Sequence, residues 1–344
     1  MRVEPDDPTG DWTREGVFEV DPGVYRIPLP LPHDSLRAVN VYAIRDSDGV
    51  VLIDSGWPIA ADRERLDRAL AALDCGPQDI RRFLITHVHR DHYALAVALR
   101  REYGGQIALG TGEQPAIALL GSPDHRPLGE HVARMVRYGA DELAAWIRQR
   151  SSEMRIDPND WEPPDVWLEE SAVPLGKRTL QALPTPGHTQ GHVVFIDEAA
   201  GLFFAGDHVL PHITPSIGFE AVAAPLPLAD YLRSLRLVRG LPDRRLLPAH
   251  GPVQPSVHAR VDELLDHHGR RLDECVAIVA GDTLTPYQVA RRMTWTRRQR
   301  AFDDLDHFNQ VLAVSETAVH LDVLVAQHRL RCQEVDGVCR YSAP

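Results

Sequence analysis

Thr86-His87-Val88-His89-Arg90-Asp91-His92 follows directly on the apolar run Phe83-Leu84-Ile85, and its reading decides the fold. The run predicts a short strand, and residues 91–103 predict a helix after it. Extended backbone at the strand exit sends His87 and His89 to one side, while the turn into the helix carries Asp91 and His92 to a neighbouring position. These four side chains are more than one cation uses comfortably, and imidazole nitrogen with carboxylate oxygen is a donor set that suits zinc. A His-x-His pair alone is often only an exposed strand end, so the weight falls on what accompanies it.

Working outward, residues 24–29, 38–44 and 50–53 read as strands separated by Pro, Asp and Gly turn chemistry, an antiparallel start. Leu66, Ala69, Leu70 and Leu73 recur at helical spacing, which makes strand, helix, strand and a layered α/β arrangement. The Ala-, Leu- and Arg-rich residues 128–150 read as a helix able to form a lid. Strands return at 172–174, 179–183, 193–196 and 202–204 and run toward further candidate ligands. His188 lies in Pro184-Thr185-Pro186-Gly187-His188-Thr189-Gln190-Gly191-His192, where Pro and Gly shape a tight turn. Asp207 closes Phe204-Ala205-Gly206-Asp207, and an aspartate there can bridge two cations. His250 follows Leu246-Leu247-Pro248-Ala249. The neighbouring His192, His208 and His212 read as packing or hydrogen-bonding residues before ligands, with Tyr93 and His212 as candidates for the substrate pocket.

These motifs, His-x-His-x-Asp-His, Pro-Gly-His-Thr-x-Gly-His, Ala-Gly-Asp and Pro-Ala-His-Gly in this order, resemble the metal-binding motifs of the metallo-β-lactamase superfamily between about Asn40 and Gly251. The resemblance implies a four-layer αββα sandwich and two divalent metal ions, zinc first, with iron or manganese accepted by the same donors. It implies that His87, His89 and His188 hold the first ion, that Asp91, His92 and His250 hold the second, and that Asp207 bridges them. Asp54, in Val51-Leu52-Ile53-Asp54-Ser55-Gly56, matches the family's early aspartate, which supports the ligand loop from behind. Many relatives follow Asp-His with small residues, whereas Tyr93-Ala94-Leu95 stands here, which alters packing beside the metals or the pocket floor.

After His250 the prolines Pro252 and Pro255 interrupt the chain, and residues 261–280 and 307–328 carry helical patterns. A catalytic domain over 1–254, with a helical insertion at about 112–165, and a winged-helix-like domain over 255–344 are expected. Glu316-Thr317-Ala318-Val319-His320-Leu321, preceded by Thr294-Trp295-Thr296, resembles the small winged helix of the beta-lactamase-like-protein-2 type of hydrolase. Two carboxylate-bridged cations lower the pKa of a shared water toward neutrality and supply hydroxide as nucleophile, with Asp91 and Asp207 to orient it. The leading expectation is attack on an ester or thioester of a small acyl substrate, as in thioesterases of the glyoxalase II and acyl-carrier type. Lactonase, single-strand endoribonuclease and a non-catalytic metal-sensing, partner-docking protein are the alternatives.

Composition narrows these choices. A formal net charge of −12 disfavours non-specific attraction to nucleic acid. The Arg291, Arg292, Arg297, Arg298 and Arg300 cluster around Trp295 is the local exception, but residues 255–344 carry 11 Arg against 13 Asp plus Glu. Lys177 is the single lysine and lies in no recognisable motif, which leaves Schiff-base chemistry unsupported. Cys75, Cys275, Cys332 and Cys339 show no Cys-x-x-Cys spacing; the last two could approach on a hairpin, but a cytosolic setting keeps them reduced. There is no Gly-x-Ser-x-Gly elbow, no phosphate-cradling Gly-rich loop and no apolar run of membrane-spanning length. With an acidic, proline-containing start, the expected location is the cytoplasm, and a homodimer through the tail or lid is a further expectation.

Overall fold

The computed structural model describes residues 1–31, 36–126, 128–154 and 157–344. An eight-stranded sheet runs in chain order: β1 (Val3–Pro5), β2 (Val17–Asp21), β3 (Val24–Pro30), β4 (Ala38–Arg45), β5 (Val50–Ile53), β6 (Ile80–Leu84), β7 (Gln106–Gly110) and β8 (Val166–Leu168). Pairing is antiparallel from β2 to β5 and parallel from β5 to β8. The switch to parallel pairing requires crossovers. Two of these are α1 (Ala60–Ala72), packed on β3, and α2 (Arg90–Tyr103), packed on β7.

A second sheet is ordered β13-β12-β11-β10-β9, from β9 (Ser171–Leu175), β10 (Arg178–Pro184), β11 (Val193–Asp197), β12 (Leu202–Gly206) and β13 (Arg245–Pro248). The inward side chains of the two sheets make one core: Tyr42, Ile44, Ile53 and Leu84 from the first meet Leu180, Val193, Phe195 and Phe204 from the second. The Tyr42 and Phe204 rings meet edge to face at 5.4 Å. Burial on both faces explains why β5 and β11 read as near-continuous apolar runs rather than alternating ones.

The chain divides into two compact units. Residues 1–121, 157–215 and 234–261 carry both sheets; residues 122–156, 216–233 and 262–344 make the other unit. The boundary expected at 254/255 therefore falls at 261/262, and the expected insertion over 112–165 is split. The long helix read at 128–150 is broken into α4 (Gly129–Arg137) and α5 (Asp141–Glu153) by Gly139, whose φ of +75° no helix interior adopts. Both helices pack on α9 (His307–Ala326) of the C-terminal segment, which is why they group with it. The first turn of α3 (Gln114–Leu120) and the rest of that helix stay with the sheets.

α6 (Pro227–Gly240) and α7 (Val257–Val279) each cross the division. The helical patterns read at 261–280 and 307–328 correspond to α7 and α9, and the C-terminal segment runs α7, the short α8 (Pro286–Ala290) capped by Thr285, the two-residue pair β14 (Thr294–Trp295) and β15 (Arg300–Ala301), α9, then a hairpin of β16 (Arg331–Val335) and β17 (Val338–Ser342). In that hairpin Cys332 pairs with Tyr341 and Cys339 with Glu334, and all four cysteines are free thiols. No helix among the described residues is long and apolar enough to cross a membrane.

Candidate metal centre

Everything expected to ligate comes together at the strand ends of the sandwich. The chain leaves β6 through Ile85, whose N–H donates to Ala108, and Thr86, whose carbonyl accepts from the N–H of Val193 at 2.8 Å. That bond ties the two sheets together beside the first ligands. His89 caps α2, so Asp91 sits in the first helical turn, where the helix dipole favours its negative charge. The His250 loop is fastened to β4: Asn40 Nδ2 donates to the carbonyls of Pro248 (3.0 Å) and Gly251 (2.8 Å), and Tyr42 Oη donates to Pro248 at 2.9 Å.

Two groups of donors result, His87, His89, His188 and Asp207 in one and Asp91, His92 and His250 in the other, with the atoms of each within 4.8 Å of one another. Asp207 lies between them. Its Oδ2 is 3.4 Å from His188 Nε2, while its Oδ1 is 3.3 Å from His250 Nε2 and 3.8 Å from His92 Nε2. Asp91 Oδ2 is 3.5 Å from both His92 Nε2 and His250 Nε2. His89 turns Nδ1 inward, 3.1 Å from His188 Nε2.

The hydrogen bonds behind the ligands fix which nitrogen carries the proton. His250 Nδ1 donates to the Ala38 carbonyl at 2.7 Å, and His92 Nδ1 donates to Asp54 Oδ2 at 2.9 Å. Thr86 gives its hydroxyl proton to Asp54 at 3.0 Å, so its oxygen is left to accept from His87 Nδ1 at 3.1 Å. In each case Nε2 keeps its lone pair and points into the centre. His87 Nε2, His92 Nε2, His250 Nε2 and Asp207 Oδ1 are all buried there with no hydrogen-bond partner. Four converging orphaned atoms are costly unless a cation satisfies them, and the residues fit one.

Electrostatics agree. Burial, reinforced by surrounding imidazoles, pushes His87 well below its ordinary value, and burial beside His188 holds His89 down at about 3, so both are neutral ligands. His92 is driven the other way: burial opposes its protonation, but Asp91, Asp54 and Asp207 outweigh it. Three carboxylates around one imidazole, Asp54 at Nδ1 and Asp91 and Asp207 at Nε2, make a field that wants a positive charge, and a divalent ion answers it.

Asp54 stands where expected, behind the ligand loop, taking the N–H of Thr86 at 2.9 Å besides the bonds above. Its φ of +60° is left-handed, a conformation Asp and Asn tolerate best among side-chain-bearing residues. His192 is a positioning group: its Nε2 accepts the Asp207 N–H at 3.1 Å and its Nδ1 faces Thr185 at 3.0 Å. His208 is fully buried, and His212 is exposed beside Gly251, whose added Cβ would lie 3.9 Å from the His212 ring. Tyr93 departs from expectation. It has no accessible surface and its hydroxyl donates to the Glu162 carbonyl, so it fills the core behind α2 rather than lining an open pocket.

Sequence reasoning missed Glu113. This buried carboxylate follows β7 and accepts from the N–H of Val88, between two ligands, and from the hydroxyl of Thr189, beside a third. Burial pushes it up to about 7. Thr-Gly-Glu after an apolar strand carries no spacing that singles the glutamate out. Gly206 is a second: at φ +51° its added Cβ would lie 2.7 Å from both His192 Nε2 and Thr86 Oγ1, so only glycine passes there.

Strand-end imidazoles and carboxylates gathered in two adjoining groups define a metal-dependent hydrolase. The chain belongs to the metallo-beta-lactamase superfamily, whose family model matches residues 34–250. It is similar to "Probable metallo-hydrolase YqjP" of Bacillus subtilis (strain 168), 26% identical over 89% of this chain and 92% of that protein. The crystal structure of a beta-lactamase domain protein from Burkholderia ambifaria is 28% identical, with a TM-score of 0.82 over 98% of this chain and 97% of the other. An atrochrysone carboxyl ACP thioesterase of Aspergillus fumigatus is 26% identical over 69% of this chain and 58% of that protein. The centre holds divalent metal ions through the His and Asp clusters.

Proposed function

We propose that the protein is a dinuclear hydrolase of esters or thioesters of a small acyl substrate, with zinc as its metal. The observation that carries the dinuclear reading is Asp207, whose two carboxylate oxygens face different ligand groups, Oδ2 toward His188 at 3.4 Å and Oδ1 toward His250 at 3.3 Å. Two divalent ions, when bound, supply a water nucleophile at neutral pH and polarise the scissile carbonyl.

The chain's own residues do the rest. Asp207 has 8% and Asp91 19% of its side chain exposed, so Asp91 is the carboxylate nearer the solvent side. Burial resists its ionisation, but His92 and His250 overcome that and hold it below the usual carboxylate range, so it stays an acceptor that orients water. His192 aims Asp207 through its backbone N–H, and Asp54 aims His92 through its ring. His212, exposed at the rim beside Gly251, is the group we assign to the acyl substrate.

The thioester preference is supported by the acidic balance of the chain and by likeness to the Aspergillus thioesterase. A nucleic-acid substrate is the weaker reading, since part of the arginine cluster is engaged within the chain. Arg291 is paired with Asp303 and Arg292 with Asp282, each at 2.9 Å, and Trp295 is buried with its indole N–H on Ala290. The helices α7, α8 and α9 with the β16–β17 hairpin are read as a winged helix on their order. The test is a screen of acyl thioesters, esters, lactones and single-stranded RNA with zinc-loaded and chelated protein. Chelator-sensitive turnover of thioesters or esters is expected; turnover of RNA alone would refute the substrate class.

A further inference from the structure

One cluster of chemistry-bearing residues is left unused by the strand-end centre. His267 and His268 on α7 and Glu316 on α9 present ligand atoms within 4.8 Å of one another, His268 fully buried and the other two half-buried. Glu316 and His320 are spaced four apart on α9 and share a face, so His320 lies behind the cluster. All four residues belong to the same compact unit.

We propose that His267, His268 and Glu316 form a further binding site for a single divalent transition-metal ion, zinc by its donor set. The argument rests on the direction of the hydrogen bonds. His320 Nδ1 donates to the Glu316 carbonyl at 2.7 Å, which leaves its Nε2 unprotonated. That nitrogen is 3.1 Å from His268 Nδ1 and accepts its proton. In that neutral tautomer His268 Nε2 carries no proton, the state a ligand needs. A ligating histidine whose second nitrogen donates outward to a fixed acceptor is the usual arrangement at bound zinc. Here a second imidazole is that acceptor, and burial holds it neutral at about 3.

The surroundings fix the ring rather than replace the ion. Tyr231, fully buried, meets the His268 ring edge-on at 5.5 Å, and the His267 ring stands 5.1 Å away. Burial raises the Glu316 carboxyl, a cost that a bound cation offsets. Arg271, the nearby cation, offsets part of that cost from a distance, while its guanidinium is paired with Glu274 at 2.9 Å and lies over the Trp295 ring at 4.4 Å. Two imidazoles and a carboxylate leave the fourth position of a tetrahedral ion open, and modest side-chain rotation of the half-buried members brings the donors to zinc's distances of about 2.0–2.2 Å.

The experiment counts zinc in full-length protein stripped with chelator and reloaded with Zn2+ alone. Wild type is expected to bind three equivalents and Glu316→Gln two. A His87→Ala, His188→Ala, His250→Ala chain is expected to keep one, which raises its melting temperature and is lost on adding His267→Ala and Glu316→Gln. Equal zinc in wild type and Glu316→Gln, or zinc that survives the combined substitutions and so binds adventitiously, overturns the proposal. The zinc lost with the three strand-end histidines reports on the catalytic centre separately, so failure of one reading is distinct from failure of the other. Should the strand-end variant not fold, the comparison of wild type with Glu316→Gln decides alone.

Discussion

Asp54→Asn tests whether a residue that cannot touch the metal nonetheless sets its affinity. The substitution is nearly isosteric, and Asn tolerates the left-handed φ of +60° as well as Asp does, so the backbone is preserved. One amide oxygen still accepts from the N–H of Thr86 at 2.9 Å. The other atom becomes an NH2 facing His92 Nδ1 across 2.9 Å, two donors in opposition. Relief comes only when His92 moves its proton to Nε2, the nitrogen aimed at Asp91 and Asp207. Ligation by His92 is then lost or strained. Supporting partners of this kind are worth about 10- to 100-fold in metal affinity, or about 1.4–2.7 kcal/mol. Competition with a chromophoric zinc chelator should show one weakened strand-end site, that of Asp91, His92 and His250, with the His87, His89 and His188 site much less affected. Unchanged zinc affinity at both sites, in a protein that unfolds at the wild-type midpoint, would refute the tautomer argument.

Three further outcomes are expected. Tyr93→Phe removes a buried hydrogen bond to the Glu162 carbonyl and should cost about 1 kcal/mol in chemical denaturation while kcat/KM holds; a tenfold fall in kcat/KM would return Tyr93 to the pocket. Gly206→Ala places a methyl against His192 and Thr86 at a positive φ, and should cost roughly 2 kcal/mol or more and weaken metal binding through Asp207, as read by urea unfolding and zinc content. Glu113, pushed up to about 7 from 4.5 by burial, binds its proton more tightly folded than unfolded, so its contribution is present below about pH 4.5 and is lost as pH rises through about 7. In metal-free protein, native stability relative to Glu113→Gln should therefore fall by about 3 kcal/mol between pH 4 and pH 9, and a difference independent of pH would contradict it.

The ligands were legible because metal chemistry restricts residue type and the strand–turn punctuation restricts place: His87 to His92, His188, Asp207 and His250 all stand at the ends of apolar runs that became β6, β10, β12 and β13. Their second-row partners were legible only where a motif named them, as with Asp54. Glu113 and the role of His192 arise from pairings across 76 and 15 residues, which no local pattern carries. The α4–α5 break was visible in Gly139, but the allegiance of those helices to α9 depends on contacts far along the chain. β1, β7 and β8 escaped the sequence reading because short elements have little periodicity to show, whereas α6 was overlooked although its buried Leu228, Tyr231, Leu232, Leu235 and Val238 recur at helical spacing. Tyr93 was misplaced because adjacency to a ligand in sequence says nothing of side: on a helix, the residue after His92 is turned by about 100°.

The most direct test of the central claim is thioester hydrolysis by chelated protein during Zn2+ back-titration, run beside Asp207→Ala. A dinuclear centre bridged by Asp207 predicts that wild-type activity vanishes with the metal and returns with it, while Asp207→Ala binds less zinc and recovers no activity. Turnover that persists without metal, or that Asp207→Ala restores in full, would contradict it.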